Sequence, residues 1–353
     1  MPRHAAGVPY NPAVLDVALE NVTLDNRLRG ITLTFARSTH TAIIGPPASG
    51  ASTLLRTIAG ELRPASGEIR IGARTVTKLS ANRRPLLFVT SRIDAPGRWS
   101  VGHLLIAAVR QRTLDRIDRH REYELAIAKW TLNDLVERPL RTLSSSESAI
   151  AQLGRIELLR PGIVIADRLL EHLNPAVATS IADEFYRTLR VIGTTLISAP
   201  ASVPELGLMD RIVVLDRGRV VQEGSPASVY RRPNSEASAM ATGEVNAIPI
   251  TVRGEVVESA IGSWSAHTTF QGSGVALARP EDFSIAAAGE ESDLIFGIEE
   301  ASFRDGRWIA TGILTGAINL RVALPGDLAV HKGRLVPLRY DSSRFVLLPS
   351  HPR

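Results

Sequence analysis

The sequence predicts a parallel α/β domain followed by a smaller all-β domain, and three observations carry that expectation. A glycine-bounded loop, "GPPASG" at 45–50, joins a short apolar run to a helix with one apolar face. From residue 14 to about 224, short β-rich runs alternate with helical stretches, as strands joined by crossover helices do. Past about Ser235 the texture becomes alternating and glycine-rich, with turn dipeptides and no long helix, as in a small OB-like barrel.

Taken in order, "ITLTF", "TAIIG", "GEIRIG" and "PLLFVT" read as strands between residues 31 and 90. Between them, "TLLRTIAGEL" (53–62) reads as a helix facing a sheet. Residues 101–160 carry helical periodicity, dense in Arg, Glu and Leu, with Pro139 as punctuation. "GIVIAD" (162–167) is a continuous apolar run, the signature of a strand buried on both faces. "TTLISAP" and "DRIVVLDRGRVVQEG" supply further strands. The polar stretch "YRRPNSEASAMATG" (230–243) reads as a linker, so domains are expected at 1–235 and 236–353.

With 353 residues, 44% of them hydrophobic and 22% charged, the chain is an ordinary globular one of roughly two domains. No apolar run approaches the ~18 residues that span a bilayer, and "MPRHAAGVPYNPAV" lacks the apolar core of a signal peptide. The absence of cysteine excludes disulfides and thiolate metal sites and fits a reducing cytoplasm. The net charge is +5, almost all of the cations being arginine, since Lys78, Lys129 and Lys332 are the only lysines. No basic run reaches five residues and only 5% of residues are aromatic, so no specific nucleic-acid partner is expected. His267, His331 and His351 lack the spacing of metal ligands.

The loop is where chemistry is written. Gly45, Gly50 and Ser52 fit the phosphate-loop pattern G-x-x-x-x-G-K-[ST], but Ala51 stands at the lysine. Backbone N–H groups of such a loop point at phosphate oxygens at a helix N-terminus, and Ser52 would offer its hydroxyl to Mg²⁺. Losing one charged hydrogen bond costs about 1.5–3 kcal/mol, weakening binding ten- to a hundredfold without abolishing it. On these eight residues alone, an ordinary glycine turn into a helix reads equally well.

The flanking segments resemble those of ATP-binding-cassette (ABC) proteins, above all the subgroup serving carbohydrate importers of the maltose and glycerol-phosphate type. Residues 53–84 are similar to the segment after the phosphate loop. "LSSSESAIAQLGRIELLRPGIVIADRLLEHLN" (143–174) resembles the signature helix running into the Walker B strand. Residues 210–233 look like the strand pair that closes the cassette, and "ALARPED" (276–282) like a motif of the importers' C-terminal TOBE/MOP-type domain. The fold implied is a P-loop NTPase cassette with a helical subdomain at about 92–150, followed by a regulatory or dimerisation β-barrel.

The resemblance also assigns roles. Gly45, Pro46, Pro47, Ala48, Ser49, Gly50, Ala51, Ser52 and Thr53 would line the nucleotide phosphates, and Ser52 with Asp167 would hold Mg²⁺. Ser144, keeping its place in a signature that reads Leu143-Ser144-Ser145-Ser146-Glu147, would face the γ-phosphate of a partner's nucleotide. The departures are concentrated where water is activated. Arg168 stands for the catalytic glutamate, Ala199 for the switch histidine, Asn174 for the next loop's aspartate and Ser91 for the sensing glutamine. No aromatic lies around Leu24–Asn26 to stack on adenine. A positioned general base contributes roughly 10²–10⁴-fold, and an arginine cannot accept the proton. Arg168 either restores the cation missing at Ala51 or pairs with a nearby acid, Asp167 or Glu171.

The expectation is therefore a non-hydrolytic cassette with weak or vestigial binding of ATP and Mg²⁺, peripheral on the cytoplasmic face of a membrane. It would pair with an active homologous ATPase, two permease subunits and a periplasmic or lipid-anchored solute-binding protein. Its cargo would be a sugar, a polyol such as glycerol, or a glycerol-phosphate-like solute. The alternatives are a free-standing regulatory protein on the same scaffold and an ATPase with rewired chemistry.

Overall fold

The computed structural model describes residues 14–350 except 94, 95, 97, 288, 305 and 315–317, and leaves the side chains of 175–177 undescribed. The N-terminal stretch 1–13 and His351 lie outside the described residues. The chain divides into two compact units between Pro226 and Ala227.

The first unit opens with an antiparallel layer. β1 (Val17–Leu24) lies between β2 (Leu28–Phe35) and β4 (Ser66–Ile71), and β5 (Arg74–Thr75) closes its edge. The alternating burial of β2 is that of a strand with one face on the core and one on water. These strands therefore form a sheet of their own, where alternation along the sequence suggests one parallel sheet.

The parallel sheet runs in the order β10-β9-β3-β8-β7-β6. Its strands are β3 (His40–Ile44), β6 (Leu87–Thr90), β7 (Ile163–Asp167), β8 (Thr195–Ala199), β9 (Arg211–Asp216) and β10 (Arg219–Gly224). Only β10 is antiparallel, because the two-residue turn Arg217-Gly218 folds it back on β9. All five residues of β7 are buried, as the continuous run "IVIAD" requires. Register places Thr90, Asp167 and Ala199 on one rung, at the carboxyl edge of three adjacent strands.

Helix α1 (Ala51–Ala59) packs on β7 and β8, burying Leu54, Leu55 and Ile58. It is shorter than the run 53–62 suggests: Gly60 turns its N–H back to the carbonyls of Arg56 and Thr57 and ends it. α2 (Val101–Val109), α3 (Arg116–Lys129) and α4 (Ser145–Leu159) pack on one another. α5 (Pro175–Ile192) then leads to β8. α6 (Pro226–Arg231) spans the unit boundary.

The second unit holds the short α7 (Glu236–Thr242) and two five-stranded antiparallel sheets. One is ordered β13-β12-β11-β14-β20, from β11 (Asn246–Arg253), β12 (Val256–Ser259), β13 (Gly262–Ser265), β14 (Gly272–Ala278) and β20 (Val346–Pro349). The other is β15-β19-β16-β17-β18, from β15 (Phe283–Ile285), β16 (Leu294–Arg304), β17 (Arg307–Leu314), β18 (Asn319–Pro325) and β19 (Leu335–Tyr340). Both contribute to a single apolar core around Ile248, Val257, Phe296, Val322 and Leu338. The C-terminal part is all-β apart from its short helices.

Candidate nucleotide site

The loop from Gly45 to Gly50 leaves β3 at the carboxyl edge of the parallel sheet and enters α1, the place where open α/β sheets bind ligands. Gly45 is required by crowding, since a Cβ there would sit 2.1 Å from the Leu215 carbonyl oxygen. Gly50, at φ 104°, precedes α1 in a left-handed conformation, and no side chain caps the first turn of that helix. The N–H groups of Ala51, Ser52 and Thr53 thus belong to an open, electropositive helix end. The loop is held from behind, where Ser49 donates its N–H to Pro46 O at 3.0 Å and accepts from Gly218 N at 2.9 Å.

Two further features reduce the cradle. Pro46 and Pro47 have no N–H to offer, and the Ser49 N–H is already spent within the loop. With Ala51 lacking an ammonium, an anion here depends on backbone donors from Ala48, Gly50 and the first turn of α1. The prolines are visible in the sequence, but their cost appears only once donors are counted.

Ser52 and Asp167 come together. The Ser52 hydroxyl donates to Asp167 Oδ1 at 2.8 Å, and Arg56, one turn further along α1, reaches Asp167 Oδ2 at 3.9 Å. Mg²⁺ bonds oxygen at about 2.1 Å in an octahedron, so adjacent ligands lie about 3 Å apart. The Ser52–Asp167 spacing fits that edge, and nucleotide phosphates supply further ligands in sites of this kind. The other carboxylate oxygen is turned toward a cation of the chain itself.

Arg168 and Ala199, at the positions the resemblance assigns to a base and a switch histidine, carry a guanidinium and a methyl. Arg168 adopts φ 50°, donates its N–H to Ala199 O at 3.0 Å and places its guanidinium 3.0 Å from Glu171. Of the two roles open to Arg168, the geometry matches pairing with Glu171. Ala199 is buried at the end of β8 and carries only a methyl. Beyond it, Glu205 fixes the next turn by accepting from Ala201 N, Ser202 N and Ser202 Oγ, each at 3.0 Å, and from the Tyr186 hydroxyl at 2.6 Å. Burial and the Glu205 carboxylate push the Tyr186 hydroxyl up.

Ser144 is the N-cap of α4 in a reciprocal box. Its hydroxyl accepts from Glu147 N at 3.2 Å while its N–H donates to Glu147 Oε2 at 2.7 Å. That N–H bond holds the Glu147 carboxyl below the usual range, and the pair with Arg138 adds to it. Ser146 donates to His172 O, tying α4 to the turn after β7. Near Ser91, the buried Gln152 amide of α4 donates to Thr90 O and Arg92 O at 3.3 and 3.4 Å. Nothing in the periodicity singles Gln152 out, because a polar residue within a helical stretch reads as surface.

Known proteins arrange these elements in the same way. Residues 28–170 match the family described as "ABC transporter". CbiO1 of Clostridium perfringens, part of the ABC transporter complex CbiONQ, superimposes with a TM-score of 0.52, at 21% identity, over 61% of this chain and 90% of that one. A dimeric ATP-binding cassette bound to ADP and phosphate, MJ0796, superimposes with a TM-score of 0.53, at 19% identity, over 59% of this chain and 98% of that one. By fold, the first unit is an ABC cassette.

Curated relatives of the chain extend the likeness past the cassette. The Fe(3+) ions import ATP-binding protein FbpC of Escherichia coli O157:H7 is 26% identical, over 77% of this chain and 78% of the relative. The sn-glycerol-3-phosphate import ATP-binding protein UgpC of Rhizobium meliloti is 28% identical, over 73% and 74%. The molybdate/tungstate import ATP-binding protein WtpC of Pyrococcus horikoshii is 24% identical, over 94% and 99%. Among the described residues no helix is long and apolar enough to cross a membrane.

Proposed function

We propose that the chain is the ATP-binding-cassette subunit of a membrane importer, and the non-hydrolytic half of a heterodimer with an active homologous ATPase. The observation that carries this reading is the contrast at the carboxyl edge of β7. Ser52 and Asp167 keep the contact that a Mg²⁺-nucleotide needs, while the next residue, Arg168, is a cation paired with Glu171. A guanidinium beside the attacking water cannot take its proton, and Ala199 offers no imidazole to position it. The relatives named as import proteins support the importer role; UgpC supports a cargo of the sugar, polyol or glycerol-phosphate class.

In this reading residues 1–235 form the cassette, with a helical subdomain at about 92–150, and residues 236–353 a regulatory or dimerisation domain. ATP and Mg²⁺ bind weakly. The subunit lies on the cytoplasmic face of the membrane against two permease subunits fed by a solute-binding protein. Ser144 and the start of α4 face the nucleotide held by the partner's intact phosphate loop, where N–H groups of a helix N-terminus favour anions.

The test is ATP turnover by the purified chain alone, then mixed with an intact homologous cassette, each with and without Ala51→Lys/Arg168→Glu. We expect none alone, turnover in the mixture, and a gain in the reverted chain. Brisk turnover by the unaltered chain alone overturns the reading. Affinity purification that recovers no membrane subunit turns it toward a free-standing regulatory protein.

A further inference from the structure

The second unit contains a cavity of about 360 Å³ that nucleotide chemistry does not use, within the ~300–1,000 Å³ typical of small-molecule sites. Four arginines line it, Arg231, Arg232, Arg279 and Arg344, against two acids, Glu281 and Asp282. An excess of cations in a small concave site concentrates anions.

The fixed groups and the available ones are distinct. Arg279 is buried and fully committed: it donates to Ala239 O, Glu244 O, Tyr230 O and Thr242 Oγ1 at 2.9–3.0 Å, and lies 4.0 Å over the Tyr230 ring. It builds the wall by tying α6, α7 and the end of β14 together. Both acids are also engaged. Glu281 accepts from the Tyr230 hydroxyl at 2.5 Å, and Asp282 accepts the Arg279 N–H at 2.6 Å with Arg344 3.6 Å away. Burial, moreover, raises the Asp282 carboxyl above its usual range.

Arg231 is different. Among the described residues it makes no side-chain hydrogen bond or ion pair, and it lines the cavity from the end of α6. Arg344 makes two long contacts through one nitrogen, 3.4 Å to Glu281 O and 3.6 Å to Asp282, and keeps half of its side chain exposed. Phe345, buried and stacked on Tyr340 at 5.7 Å, gives the cavity an apolar wall. Two available forks of donors beside an aromatic face suit a doubly charged oxyanion with a small organic body, since guanidiniums bind such oxygens bidentately.

We propose that this cavity binds a small phosphate monoester, its phosphate held between Arg231 and Arg344 and its organic part against Phe345. The binding requires neither nucleotide nor partner subunit, so it stands apart from the importer reading.

The experiment is calorimetric titration of the full chain with glycerol 3-phosphate, inorganic phosphate and glycerol. We expect the ester to bind, glycerol not to, and inorganic phosphate to bind more weakly than the ester. Arg231→Gln and Arg344→Gln should each weaken the ester at least tenfold, with Arg231→Lys recovering part of the loss. Arg231 has no side-chain partner to lose among the described residues, so its variant decides the matter should Arg344→Gln disturb the turn around Asp282. No binding by the unaltered chain at millimolar ester, or undiminished affinity in Arg231→Gln, overturns the proposal. Equal affinity for inorganic phosphate and the ester overturns the monoester assignment.

Discussion

The hydroxyl of Ser52 and the carboxylate of Asp167 meet at 2.8 Å, joining the first turn of α1 to the end of β7. Asp167 is buried, so removing the donor leaves an acceptor oxygen short of a partner. Ser52→Ala is expected to cost about 1–2 kcal/mol in urea unfolding. It should also remove the Mg²⁺ dependence of whatever nucleotide affinity the chain has. Titrations with and without Mg²⁺ check this; a Mg²⁺ effect equal in both proteins rules out the metal role of Ser52.

Arg168 and Glu171 are both more than one-third exposed, so their ion pair is screened and weak. Arg168→Ala is expected to change stability by less than about 0.5 kcal/mol and to leave nucleotide affinity unaltered. A tenfold loss of affinity in that variant would mean that the guanidinium leaves Glu171 for a phosphate.

Arg84 is buried to 1% exposure and, among the described residues, makes no ion pair; its partners are carbonyls. It donates to Thr57 O and Ile58 O at 2.8 and 2.6 Å, at the negative end of α1, and to Leu79 O and Thr77 O at 3.1 and 3.3 Å. Arg84→Met removes these four donations from a buried site and is expected to cost on the order of 3 kcal/mol. Arg84→Lys should recover only part, because one ammonium cannot span the same oxygens. Denaturant unfolding followed by circular dichroism measures both.

His40 is fully buried, with both ring nitrogens unpartnered among the described residues. Burial, and then the Arg190 charge, lower its pKa from 6.5 to about 4, against a smaller opposing effect of Asp210. The unfolded chain therefore binds the proton more tightly than the folded one. Stability is full above pH 6.5, falls as pH drops through the window to about 4, and levels off below. The fall from this group approaches about 3 kcal/mol. His40→Phe should flatten that stretch of the stability curve; an unchanged slope would assign the acid sensitivity elsewhere.

What is legible in the sequence follows from periodicity and spacing. "GIVIAD" announces β7 because a strand covered on both faces needs an unbroken apolar run, and the hairpin β9–β10 is marked by Arg217-Gly218. Ser52 and Asp167 stand out through their motifs, and the absence of a base at 168 is a matter of residue identity. Arg84, Glu205 and Gln152 are not legible, because a charged or polar residue reads as surface until the carbonyls and N–H groups around it are located. The separate antiparallel sheet is hidden for a similar reason. Strand pairing is a long-range choice, and β1 joins β4 across the whole of β3 and α1.

The shared rung of Thr90, Asp167 and Ala199 has an evolutionary consequence. Ser91 and Arg168 each follow that rung by one residue, so a codon change at 91, 168 or 199 delivers its new side chain to the same ledge without moving any strand. The chemistry of that ledge can therefore be rewritten by side chains alone, with the strands that carry it left as they are.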